Sequence, residues 1–131
     1  MKTVACLLPI LLLLAGCEKE EPTPDDILGT WRLTQVYVDP GDGSGEYQPA
    51  TYQRTITFFP DTSYHTDLGI CTLGNHTAGG TGLYSPTEKY VAPTHCEIKA
   101  KYSYQLEGRR LSINYWCIEG CAERYVKVSD L

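Results

Sequence analysis

Residues 98–115 read Ile98-Lys99-Ala100-Lys101-Tyr102-Ser103-Tyr104-Gln105-Leu106-Glu107-Gly108-Arg109-Arg110-Leu111-Ser112-Ile113-Asn114-Tyr115. On each side of a break at 107–109, every second residue is apolar or aromatic, and those between are polar or charged. Alternate side chains of a strand leave opposite faces of the sheet. The stretch therefore predicts a β-hairpin that turns at Glu107-Gly108-Arg109 and buries one face. That face holds Ile98, Ala100, Tyr102, Tyr104 and Leu106, then Leu111, Ile113 and Tyr115.

Working outward, residues 54–59 and 63–68 flank Pro60-Asp61-Thr62 and predict a second hairpin, with Ile56 and Phe58 facing in. Residues 30–38 form a long first strand, stopped by the turn-rich Asp39-Pro40-Gly41-Asp42-Gly43-Ser44-Gly45. Residues 122–128 form the last strand, and weaker strands fall at 81–85 and 88–91. Nothing patterned as a helix of about ten residues or more intervenes. About eight strands on one domain-sized segment predict an all-β fold, a small antiparallel up-and-down β-barrel. A barrel of that strand number has room for its own side chains or for one small ligand.

The chain ahead of this domain reads differently. Lys2 precedes an apolar run over 4–14, interrupted by Pro9 and shorter than the roughly 20 residues a membrane helix needs. That order is the one a secretory signal peptide shows. It ends in Leu14-Ala15-Gly16-Cys17, which resembles the bacterial lipobox. The resemblance implies that residues 1–16 are removed and that Cys17 carries a diacylglycerol and fatty acyl chains such as palmitate. Several chains anchor stably where one holds only marginally. Residues 17–26 have five carboxylates, one lysine and two prolines and, after Cys17, no apolar residue, so they read as an extended acidic tether. Lys19-Glu20-Glu21 resembles the export signal of Bacteroidetes lipoproteins, which implies the outer membrane, facing the cell exterior.

The charge is uneven. The whole chain is formally −5, but nine bases and eleven acids in residues 27–131 leave the domain nearly neutral. It has no basic stripe, which argues against nucleic acid or anionic lipid headgroups as partners. With Cys6 in the signal and Cys17 acylated, Cys71, Cys96, Cys117 and Cys121 remain. Four cysteines in an exported domain predict two disulfides, for which three pairings exist. Cys117-Ile118-Glu119-Gly120-Cys121 is short enough to close on itself, which would leave Cys71 with Cys96. The rival is a metal site built from Cys71, His76, His95 and Cys96, whose spacings fit no zinc pattern well.

Ile27-Leu28-Gly29-Thr30-Trp31 at the start of the first strand resembles the G-x-W opening of lipocalins and other calycins. With the Asp39–Gly45 turn, the Thr-Ile-Thr-Phe strand and Cys117–Cys121, residues 27–128 resemble the small lipocalin-like lipoproteins of Bacteroidetes. The resemblance implies that Trp31 closes the barrel base under a basic residue of the last strand, Arg124 or, in its place, Lys127. The domain is shorter than an ordinary lipocalin and has no room for a C-terminal helix, so the resemblance does not by itself imply a lipid carrier.

The chemistry-bearing candidates are few. Tyr102, Tyr104 and Tyr115 fall on inward registers, and buried phenols need hydrogen-bond partners, so together they suggest a polar-pointed pocket for a small ligand. The competing reading is that tyrosine suits strands and a half-wet core. His65, His76 and His95 fall on an outward face or in loops, and Asp67, Glu88 and Glu97 could meet only in three dimensions. No catalytic motif or cofactor motif is present. The reading is a non-enzymatic, membrane-anchored binding domain for a small hydrophobic or amphipathic ligand. The alternative is an interaction or inhibitor module that meets a macromolecule through the 69–97 loop.

Overall fold

The computed structural model describes residues 26–74 and 77–131. Residues 1–16, read from the sequence as a signal, Cys17, nearly all of the expected tether and His76 lie outside the described residues. Among the described residues nine strands run in chain order: β1 Gly29–Val38, β2 Glu46–Pro49, β3 Thr55–Phe58, β4 Ser63–Leu68, β5 Ala78–Ser85, β6 Tyr90–Pro93, β7 Tyr102–Glu107, β8 Arg110–Asn114 and β9 Cys121–Ser129. From β3 to β9 each strand pairs antiparallel with the next, and β1 pairs with both β3 and β9. The result is an all-β, closed eight-stranded barrel with one additional strand, the architecture of a small lipocalin-like barrel. β2 is the additional strand and continues the β3 position along the upper half of β1, from Gln35 to Val38.

The alternation read from the sequence sets the interior. Trp31, Ile56, Phe58, Tyr64, Val91, Leu111, Ile113 and Tyr125 are wholly buried, with Tyr102, Tyr104 and Tyr115 nearly so. At the base, Trp31 Nε1 donates to the Ile27 carbonyl at 2.7 Å, and the Lys127 ammonium lies 5.6 Å from the indole ring. Lys127, not Arg124, is therefore the base cation. It shares the inward register of Tyr125, whereas Arg124 points outward, its guanidinium 3.4 Å from the centre of the Tyr47 ring and bonded to Gln35. A Lys127→Ala variant is expected to lose about 0.5–2 kcal/mol. Arg124→Ala should instead disturb the outer stack on Tyr47 and the bond to Gln35; a shift of the Trp31 indole N–H resonance in Arg124→Ala but not in Lys127→Ala would contradict this assignment.

Three other expectations need correction. The 98–106 strand begins only at Tyr102; Ile98 is 74% exposed, because Cys96 is tied to Cys71 and carries the preceding segment away from the sheet. β2 was not anticipated, since Glu-Tyr-Gln-Pro shows no apolar alternation. The sixth strand is Tyr90–Pro93 rather than 88–91. On β5, Gly82 is required by close approach: a Cβ there would lie 2.3–2.4 Å from the ring of buried Tyr64. Gly82→Ala should cost about 1–3 kcal/mol by overpacking, read as a lowered denaturant midpoint at unchanged slope.

Candidate functional site: a plugged mouth above a buried ion pair

The two ends of the barrel differ. Short turns at 59–62, 86–89 and 108–109 share the base with the incoming chain, while 39–45, the described part of the β4–β5 connection at 69–74, 94–101 and 115–120 gather at the opposite mouth. Both disulfides, Cys71–Cys96 and Cys117–Cys121, lie at the mouth. They are the two pairings that loop closure suggested.

Just inside the mouth, the wall is deliberately irregular. β1 carries a bulge at Thr34 against β9, whose extra residue donates its hydroxyl to the Arg124 carbonyl. At the same level the neighbouring wall breaks between β2 and β3: Leu33 N donates to the Arg54 carbonyl and Ala50 N to the Thr34 carbonyl. Residues 51–53 are looped out by this break, and Tyr52 and Arg54 turn into the barrel from it.

There they meet Glu123 of β9. Arg54 and Glu123 are both 0% exposed, with Arg54 Nη1 2.5 Å from Glu123 Oε2. The same oxygen accepts from the hydroxyls of Tyr115 and Tyr125, and Oε1 accepts from Tyr52, each at 2.5 Å. Arg54 Nη1 also donates to the Tyr125 oxygen at 3.3 Å. A buried charge needs a counter-charge and hydrogen bonds on its remaining lone pairs. This cluster supplies both.

Burial, then the neighbouring phenol and the Glu123 carboxylate, holds the Tyr115 hydroxyl well above its usual pKa; burial and then Glu123 do the same for Tyr125. Both groups stay neutral in the folded barrel while the unfolded chain ionises near pH 10. Their contribution to stability is complete below pH 10 and falls as pH rises beyond it, because the unfolded state then releases protons that the folded state keeps. The tyrosinate absorbance of these buried rings should therefore appear only in step with unfolding. Ionisation of all ten tyrosines in a still-folded protein would contradict the burial.

The β4–β5 connection closes the mouth from above. Ile70 is wholly buried, Leu73 packs against the core, and Gly74 N points at Glu123 Oε1 at 3.5 Å. Tyr102 donates its hydroxyl to the Cys71 carbonyl, and its ring lies 4.8 Å from that of Tyr115. Tyr102 and Tyr115 thus meet as the register suggested, but both hydroxyls are engaged by the protein. Tyr104 does not join them: its hydroxyl reaches the Ser85 carbonyl at 3.2 Å, and it borders a separate base cavity of about 260 Å³ with Tyr84, Lys89 and Leu106. Buried Tyr64 has no hydrogen-bond partner for its hydroxyl among the described residues.

Outside the plug lies a larger cavity of about 590 Å³. The Cys71–Cys96 bridge, Ala78 and Ile98 give it apolar surface, and Thr72, His95 and Glu97 give it polar points. The carboxylates do not assemble into a reactive group: Asp67 accepts from the backbone and hydroxyl of Thr55, Glu88 sits in the β5–β6 turn, and Glu97 lies at this cavity. His65 is exposed on β4.

Glu123, Arg54, Tyr52 and Tyr125 were not singled out from the sequence, although a signal was there. Arg54 shares the register of Ile56 and Phe58, and Glu123 that of Tyr125, so a charge of each sign stood on an inward face. Neither a protein-family model, nor a curated protein, nor a solved structure matches this chain.

Proposed function

We propose that the protein is a non-enzymatic binding module of the small lipocalin-like lipoprotein kind, held by lipid on Cys17 at the exterior face of the outer membrane. Its ligand is a small amphipathic molecule, taken at the mouth rather than deep in the barrel. The observation that carries this reading is a cavity of ligand size at the disulfide-braced loops, above an interior whose inward side chains are buried and whose Tyr102, Tyr104 and Tyr115 hydroxyls are engaged by the protein. Loops on a rigid scaffold are the usual place for recognition. Ile98 and Ala78 would cover an apolar body, and His95 and Glu97 would take a hydroxyl or amine head. Ten residues of tether from Cys17 to Asp26 reach at most about 35 Å. They join the barrel at its base, the end opposite the mouth.

The test is native mass spectrometry of the full chain with an alcohol, an amine and a fatty acid of equal chain length. Retention of the alcohol or amine, lost in Ala78→Trp, supports the reading; no retention, or retention unaffected by Ala78→Trp, refutes it. A second reading, recognition of a macromolecule at the same end, is favoured by Ile98, Trp116 at 68% exposure and a fully exposed Ile118. Loss of a captured partner in Trp116→Ser/Ile118→Ser would select it.

A further inference from the structure

We infer that reduction of the Cys71–Cys96 bridge creates a zinc site formed by Cys71, His95 and Cys96. The two sulfurs and a ring nitrogen of His95 all lie within 4.8 Å of one another. Tetrahedral zinc with sulfur and nitrogen at about 2.0–2.3 Å places its ligands about 3.5–3.8 Å apart. The sulfurs therefore need to part by only about 2 Å from their bonded separation to meet that spacing.

His95 is set for the role. Its ring lies flat on Gly80, where a Cβ would come within 2.4 Å of Nδ1. Nδ1 lies 3.1 Å from the Thr81 carbonyl, which can only accept, so Nδ1 carries a proton and Nε2 is the nitrogen left to bind a metal. Metal-bound histidines are held in this way, with one ring N–H given to a backbone carbonyl. The site opens on the 590 Å³ cavity, which admits both reductant and metal, and the fourth position is left for water or the nearby Glu97.

The chemistry balances with a dithiol as reductant. It gives two electrons and two protons to the bridge, forming two cysteine thiols, and itself becomes a disulfide. Zinc then displaces both thiol protons as it binds two thiolates and the imidazole. The oxidised protein has no thiolate to offer at this place, so the bridge acts as the switch between cavity wall and metal centre. This does not depend on whether an amphipathic ligand occupies the cavity in the oxidised state.

The experiment uses the full chain with Cys6, Cys17, Cys117 and Cys121 replaced by serine, leaving one pair of cysteines. Cobalt(II) serves as the spectroscopic probe, followed by competition with zinc. The dithiol-reduced protein should take up one cobalt per chain, with thiolate-to-cobalt absorption and tetrahedral d–d bands, and the oxidised protein none. His95→Ala, at an exposed position where folding is not at stake, should weaken binding by at least about tenfold and change the d–d bands. Tenfold weakening without any spectral change, equal affinity in His95→Ala, or no thiolate band after reduction each overturns the assignment. Circular dichroism of the reduced protein in the same samples shows whether the barrel is intact; if reduction unfolds it, the site does not exist as proposed.

Discussion

Glu123→Ala is expected to lower folding stability by about 3–5 kcal/mol, because it leaves the Arg54 guanidinium buried without its counter-charge. The loss does not stop at the ion pair. Tyr52, Tyr115 and Tyr125 all donate to the same carboxylate, so three buried or half-buried hydroxyls lose their acceptor together. Glu123→Gln should be nearly as damaging: the amide keeps the shape, removes the charge, and turns an N–H pair toward groups that are already donors. Replacing both ionic partners, Arg54→Met with Glu123→Leu, removes the uncompensated charge. The double variant should therefore be less destabilised than the sum of the singles, with a coupling of about 0.5–3 kcal/mol. Urea unfolding of the four proteins gives the cycle directly. Strict additivity would mean that the pair at 2.5 Å is not energetically coupled.

The second large effect belongs to the disulfides, and their sizes separate them. Cys71–Cys96 closes 25 residues, and Cys117–Cys121 closes 4. Chain entropy alone assigns the first about 3.5 kcal/mol and the second about 2 kcal/mol. Cys71→Ser/Cys96→Ser should accordingly show the larger fall in denaturant midpoint. It should also loosen the plug, since the Cys71 carbonyl receives the Tyr102 hydroxyl and the loop carries Ile70 and Leu73 into the mouth. Amide hydrogen exchange at residues 70–74 should then rise far more than at β8. Equal stability of the two double-serine variants would contradict the loop-length account.

Much of the barrel was legible because a half-buried strand writes its two faces in alternate residues. Leu111, Ile113 and Tyr115 turned inward as written, as did Ile56 and Phe58. The same rule fails where the chain leaves the sheet. Ile98 and Ala100 continue the alternation, yet the tie between Cys96 and Cys71 holds the segment in a loop, so Ile98 faces water while Ala100 is buried. β2 gave no signal because its outward edge carries Pro49, a residue without an N–H that suits an unpaired edge.

The site was less legible for a different reason. Inward tyrosines were visible, but Tyr115 is engaged by the charged Glu123, and alternation alone does not distinguish a buried ion pair from solvated charges. Arg54 enters through a break in the wall level with the Thr34 bulge on β1, the strand paired with Glu123's β9, and no local pattern announces that coincidence. Register alone would have placed Lys127 rather than Arg124 over Trp31, because residues 123, 125 and 127 share a face. The mouth cavity joins 71–79 to 95–98 across a disulfide, and sequence spacing cannot show it.

The most direct test of binding at the mouth rather than inside the barrel is an amide chemical-shift map of the full chain titrated with a medium-chain alcohol. The expected result is saturable shifts at residues 71–79 and 95–98, with Phe58, Leu111 and Ile113 unmoved. Shifts centred on Phe58, Leu111 and Ile113, with the loops silent, would place the ligand inside the barrel and contradict the account.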